Sequence, residues 1–267
     1  MMQAFSTSDG IRIAYTIDDF TDPWRSPATL LLLHAAMGSS RRWYAVVPPL
    51  SRHYRIVRMD LRGHGKSEVP SADLPLTMER LVQDVRELLN HLGCSAAHIV
   101  GNSAGGYVAQ NLAITSPERV RSLLLFGSTP GLKNSQAHTW LARIPREGLR
   151  GFLTATIADR FPPDHDRDHV AWFLDEAAKN DPDYIGRFIG LMATLWWVDE
   201  LPRISCPTLV VMPGAETVGS TQNYTIMHSK IPDCELTVYQ GLPHNICDIV
   251  PDRCAGDILD FLRRRVP

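Results

Sequence analysis

Ala97-His-Ile-Val-Gly-Asn-Ser103-Ala-Gly-Gly-Tyr-Val-Ala-Gln-Asn-Leu-Ala-Ile-Thr115 is the stretch on which the reading of this chain turns. A short apolar run, Ala97–Gly101, reads as a buried strand, and Ser103–Thr115 reads as a helix, with one tight turn between them. Gly101 and Gly105 flank Ser103 two positions away on either side. Such a turn strains its central residue and lifts that side chain out of the sheet, and glycines at these offsets remove the Cβ clashes it would create. The helix start then aims free N–H groups at any negative charge that develops beside the serine. With average glycine usage of about 7%, a chain of this length holds on the order of 0.1 chance matches to this spacing. Ser103 is therefore read as a nucleophile.

Working outward, short runs rich in β-branched residues and leucine, bounded by turn residues, are expected as strands. They are Ile11–Ile17, Thr29–His34, Tyr54–Met59, Val120–Phe126, Thr208–Met212 and Glu235–Tyr239. The unbroken runs LLLL and LVVM suit strands buried on both faces of a parallel sheet. Helical patterns alternate with them: Thr77–Leu92 carries an apolar stripe at 81, 82, 85, 88, 89 and 92 and ends at Gly93, and Asp252–Arg264 is a further candidate. This alternation predicts one doubly wound α/β sheet.

Between residues 132 and 201 the strand rhythm stops. That stretch holds four of the six tryptophans, Trp140, Trp172, Trp196 and Trp197, and a helical pattern over Asp183–Trp197. Seventy residues is too long for a plain connection. We read 132–201 as a helical lid inserted into a core domain made of 1–131 and 202–267.

A serine hydroxyl needs a base to remove its proton. Behind a strand-to-helix nucleophile turn, the partners follow in the order acid, then histidine, each after a later strand. His244 stands directly after the strand that ends at Tyr239. Glu216 is the only carboxylate in the turn after Thr208–Met212 and is expected to orient His244, with Asp248 as the reserve acid. An oxyanion hole needs two backbone N–H groups. Ala104 supplies one, and the small-residue loop His34-Ala35-Ala36-Met37-Gly38 supplies the other, from Ala36. His34, Trp140, Trp172, Met192 and Trp196 are the candidate substrate-pocket residues.

Bulk properties close off other classes. The chain has 267 residues, 44% of them hydrophobic, enough for a sizeable core. A net charge of −2 gives no electrostatic reason to expect nucleic acid or an acidic membrane as partner. The longest apolar run is too short to span a bilayer, and no signal-peptide pattern opens the chain. Five scattered cysteines without a CxxC pair, and histidines without an HExxH pattern, argue against a disulfide framework and a metal site, and suit a cytoplasmic protein.

With these pieces placed, the chain resembles the α/β-hydrolase superfamily along nearly its whole length. The matching segments are His34-Ala-Ala-Met-Gly-Ser-Ser-Arg-Arg-Trp43 in place of an HG-x-x-x-S-x-x-W loop, Asp60-Leu-Arg-Gly-His-Gly-Lys-Ser67, the Ser103 turn, and Ser116-Pro-Glu-Arg119. Residues 60–131 are most similar to the 3-oxoadipate enol-lactonase branch. The 132–201 insertion resembles the lid of that branch and of the meta-cleavage-product hydrolases. Two departures stand out. The usual HG is His34-Ala35, and the usual G-x-x-D acid turn is Gly214-Ala-Glu216-Thr217. The resemblance implies a mostly parallel eight-stranded sheet with flanking helices and a serine hydrolase acting on a small ester or lactone without metal or organic cofactor. A homodimer is admitted as an assembly. Two alternatives stay open: a C–C bond hydrolase, for which Arg143, Arg146 and Arg187 are the lid arginines available to a substrate carboxylate, and a receptor-like binding protein.

Overall fold

The computed structural model describes residues 1–133 and 135–266. Eight strands form one sheet in the order β1-β2-β4-β3-β5-β6-β7-β8. They are β1 (Met2–Ser6), β2 (Arg12–Asp18), β3 (Thr29–Leu33), β4 (Arg55–Met59), β5 (Ala97–Asn102), β6 (Val120–Phe126), β7 (Thr208–Pro213) and β8 (Cys234–Tyr239). The β1–β2 and β2–β4 pairs are antiparallel, and every pair from β4 onward is parallel. The helices are α1 (Val47–Leu50), α2 (Met78–His91), α3 (Ala104–Thr115), α4 (Ala137–Ala155), α5 (Arg167–Ala177), α6 (Pro182–Thr194), α7 (Thr221–Lys230), α8 (Ile246–Ile249) and α9 (Pro251–Arg265). This is the doubly wound α/β sheet that the alternation of strand and helix patterns predicts.

The two strands at the centre of the sheet, β3 and β5, are buried from end to end, because helices cover both faces. Side chains alternate across β3: Leu31 and Leu33 join a core with α2 and α3, while Leu30 and Leu32 join one with α1 and α9. Besides the one-turn helices α1 and α8, two elements show no pattern in the sequence. β1 is an edge strand with only Phe5 buried, so it carries no alternation. α7 is short and mostly polar.

Helices α4, α5 and α6 run between β6 and β7, the stretch expected as a lid. α4 is kinked, with Pro145 inside it and Gly148 at a φ of 68°. Phe152, Phe173, Phe188 and Met192 from these helices share one buried cluster with residues of the sheet, so the insertion packs on the core. Among the described residues no helix is long and apolar enough to cross a membrane.

Candidate active site

Ser103 stands at the C-terminal end of β5, where the chain turns into α3, with φ 50° and ψ −116°. Only Ser103 and Met37 among the described non-glycine residues have positive φ. Such strain persists only where the surroundings over-determine it. Here the Ser103 N–H donates to Phe126 O at 2.9 Å, and Ser128 Oγ donates to Ser103 O at 2.8 Å. The flanking glycines are needed for close approach. A Cβ on Gly105 would sit 2.2 Å from Leu33 O, and one on Gly101 would sit 2.4 Å from the Gly106 Cα.

His244 follows β8 and reaches Ser103 from the far side of the chain. Its Nε2 is 3.0 Å from Ser103 Oγ, and its Nδ1 is 2.8 Å from Glu216 Oε2 and 3.0 Å from Oε1. An ionised carboxylate only accepts hydrogen bonds, so Nδ1 carries the proton and Nε2 is left to accept from the serine hydroxyl. The turn after β7 is latched to this loop: the Gly214 N–H donates to Tyr239 O at 2.8 Å and the Ala215 N–H to Leu242 O at 2.9 Å. Glu216, one position earlier than the usual aspartate and one methylene longer, reaches His244 Nδ1 from this turn.

The Glu216 carboxylate is buried and fully engaged. Oε1 accepts from the Val218 N–H (2.8 Å) and the Gly219 N–H (3.1 Å), and Oε2 from the Tyr224 hydroxyl (2.8 Å). Burial alone would raise its pKa, but the charge and hydrogen bond of His244 and the bonds from Tyr224 and Gly219 outweigh that and hold the carboxyl at about 2. Tyr224 was missed by the sequence reading because it lies on the unrecognised α7. Asp248, the reserve acid, is engaged elsewhere. It forms a two-point ion pair with Arg42, Nε donating to Oδ1 at 3.1 Å and Nη2 to Oδ2.

Ala104 is the first residue of α3, so no carbonyl within the helix can reach its N–H. The Ala36 N–H finds no protein acceptor among the described residues, whereas the Gly38 N–H closes the loop on Ala35 O at 3.2 Å. Two unclaimed donors thus flank the serine's strand end, one on each adjoining element.

The five expected pocket residues are not gathered into one wall. His34 is 1% exposed and braces the loop. Its Nε2 accepts from the Leu61 N–H at 2.9 Å and its Nδ1–H donates to Ala35 O at 2.8 Å, so it offers nothing to a ligand. Met192 is a core residue with no exposure. Trp172 lines a separate cavity of about 510 Å³ with Arg41, Tyr44, Arg58 and His169. Trp140 packs on Phe152, and Trp196 bridges to Gly131.

The insertion arginines also differ from expectation. Arg143 and Arg146 pair with Glu147, and Arg187 donates to the carbonyls of Ser71 and Leu74. Arg160, unnoticed in the sequence, is buried and makes no direct ion pair among the described residues, although the carboxylates of Asp159 and Glu216 act on its charge from farther off. Its Nη1 donates to Thr156 O and Oγ1, and its charge lies over the Phe152 ring at 5.7 Å. Burial lowers its pKa to about 10. The backbone around it is joined to the histidine loop: the His244 N–H donates to Asp159 O at 3.1 Å and the Asn245 N–H to Arg160 O at 3.3 Å.

A doubly wound sheet carrying a strained serine at a strand-to-helix turn, within reach of a histidine, defines a class of hydrolases. The chain belongs to the alpha/beta hydrolase fold family, whose model matches residues 28–188. Over 264 residues it is 27% identical to the magnesium-chelatase 30 kDa subunit of Rhodobacter capsulatus, covering 91% of this chain and 89% of that protein. It is 29% identical over 257 residues to 2-hydroxy-6-oxo-6-(2'-aminophenyl)hexa-2,4-dienoic acid hydrolase of Metapseudomonas resinovorans, covering 88% and 84%. The crystal structure of the enol-lactonase from Burkholderia xenovorans LB400 superposes with a TM-score of 0.90 at 21% identity, covering 98% of this chain and all of that one, which speaks to the fold. These names span several chemistries. Two of the three are named for hydrolytic chemistry.

Proposed function

We propose that this protein is a serine hydrolase that cleaves a small carboxylic ester or lactone through an acyl-enzyme. The observation that carries the reading is the unbroken chain Glu216–His244–Ser103, with contacts of 2.8 and 3.0 Å. His244 Nε2 takes the Ser103 proton as Oγ adds to the substrate carbonyl, and Glu216 stabilises the imidazolium that forms. The N–H groups of Ala36 and Ala104 receive the oxyanion. Collapse of the adduct breaks the C–O bond, and His244 returns its proton to the leaving alkoxide. Water, deprotonated in turn by His244, then adds to the acyl carbon and frees Ser103 and the carboxylic acid. Every proton and electron pair in this cycle comes from the chain, the substrate or water.

Helices α4–α6 act as a lid over a core of residues 1–131 and 202–267. Within that lid Arg160 favours a substrate with an anionic group, because a buried guanidinium with no carboxylate in direct contact has its desolvation only partly offset.

The test is pre-steady-state kinetics with a chromogenic short-chain ester, together with fluorophosphonate labelling read by peptide mass. A burst of one equivalent and a label on Ser103 are expected, with Ser103→Ala and His244→Ala each lowering kcat by about 10⁶-fold. Near-full turnover by Ser103→Ala would remove the mechanism. Turnover of a vinylogous 1,5-diketone in preference to the ester would move the bond cleaved to C–C.

A further inference from the structure

Met37 is the second strained residue of the site, a buried non-glycine side chain at φ 58° in the loop that carries the Ala36 N–H. A left-handed conformation is strained for an L-residue of this kind, so something outside the loop must hold it. The hold comes from the insertion. Asn180, 7% exposed in the short link between α5 and α6, donates one Nδ2–H to Met37 O at 3.2 Å and the other to Ala177 O at 3.1 Å. Its Oδ1 accepts from the Gly65 N–H at 3.0 Å. One buried amide thus spends all three of these bonds joining the insertion, the Met37 turn and the 60–67 loop.

Two further contacts run between the same segments. Arg41 pairs with Glu176 at 2.8 Å, and the Arg42 guanidinium lies 4.9 Å from the centre of the Phe173 ring. Asp60 secures the core side, accepting from the Ser40 N–H at 2.6 Å and from the Lys66 N–H at 2.8 Å. Asn180 is the member of this set that binds the strained peptide itself. Fixing Met37 O fixes the plane of the 37–38 peptide, and with it the Gly38 N–H that closes the turn over Ala36.

Resting on the serine-hydrolase reading above, we infer that Asn180 is a positioning residue for the oxyanion hole: it pins the Met37 carbonyl and so aims the Ala36 N–H at the developing oxyanion. The insertion therefore takes part in transition-state stabilisation without touching the substrate through this residue. A donor moved by about 1 Å costs on the order of 10–100-fold in rate and leaves substrate binding nearly unchanged.

The discriminating variant is Asn180→Asp. It has the same shape and keeps the acceptor for the Gly65 N–H. It also turns both donors into an oxygen facing the carbonyls of Met37 and Ala177. Asn180→Ser, uncharged and smaller, removes the bonds to Met37 and Ala177 and also the one from Gly65, and serves if the aspartate variant does not fold. Each is compared with wild type for kcat, KM, melting temperature and affinity for an alkyl trifluoromethyl ketone, to which Ser103 Oγ adds to give a tetrahedral oxyanion. We expect kcat to fall 10–100-fold, KM to stay within about threefold, and ketone affinity to weaken in parallel with kcat. Unchanged kcat and ketone affinity would overturn the inference. So would a loss confined to KM, or one that merely follows a fall in melting temperature. Labelling of Ser103 by a fluorophosphonate in wild type separates these outcomes from failure of the underlying mechanism, since it reports the nucleophile whatever Asn180 does.

Discussion

Asp248 faces Arg42 across 206 residues of chain, and both side chains are almost wholly buried. This pair separates the two carboxylates that the sequence offers as partners of His244. Glu216 touches His244, whereas Asp248 ties α8, just after His244, to the turn before Trp43.

The two acids should therefore fail in different ways. Glu216→Gln should fold, because its amide can still accept from the Val218 and Gly219 N–H groups, yet lose kcat by about 10⁴-fold through loss of the histidine's orientation and charge partner. Asp248→Asn should keep kcat within about tenfold while losing about 3–5 kcal/mol of stability, since it leaves a buried guanidinium unpaired. Ester turnover and urea denaturation of both variants check this. A large kcat loss in Asp248→Asn without destabilisation would return Asp248 to the catalytic acid role.

How far the sequence carried these assignments depended on range. Ser103 and its glycines were legible because the turn, its strand and its helix are contiguous, and backbone sterics restrict which residues fit there. Glu216 was legible as the sole carboxylate in one turn, although the hydrogen bonds that hold it come from α7, which has no apolar stripe to announce it. The expected pocket residues are scattered for a different reason. Aromatic and Met residues at helical spacing signal burial but not what they are buried against, so Met192, which is core, could not be told apart from Trp172, which lines a cavity away from Ser103. Asn180 and Arg160 were invisible because their meaning lies in partners or missing partners distant in sequence. Asn180 meets Met37 across 143 residues.

Stability should fall in mild acid. His34 and His64 are each 1% exposed. Burial lowers their pKa values from 6.5 to about 4 and about 3, and for His34 protonation would also set a second N–H against the Leu61 N–H. Because the folded values lie below the unfolded one, the unfolded chain binds the extra protons. Their contribution is complete above pH 6.5 and is lost as pH falls toward the folded values. Each fully uncompensated histidine costs about 1.4 kcal/mol per pH unit in that window. Glu216 has the same sign at lower pH, where its contribution is lost from 4.5 down to about 2. Urea midpoints at pH 7.5 and 5.0 should differ clearly in wild type and less in His64→Phe, which keeps the ring contact with Phe188 but cannot be protonated. Equal midpoints in wild type at the two pH values would show that these rings are not held neutral.

Arg160 should set substrate charge preference. Its cation is buried against Phe152, bonded only through Nη1 to Thr156, while its own carbonyl bonds the loop of His244. A substrate carboxylate meeting Nε and Nη2 would supply the missing partner, and charge-assisted bonds of this kind contribute about 1.5–3 kcal/mol. Arg160→Met keeps the unbranched stem over the ring and removes the charge. For an ester with a carboxylate at the far end of its acyl chain, it should raise KM on the order of 10–100-fold. For the neutral ester of equal length, turnover should change less than about threefold, and the folded state should be no less stable, since an unpaired buried charge has been removed. Equal losses on both esters would mean that Arg160 supports the lid rather than reads the substrate.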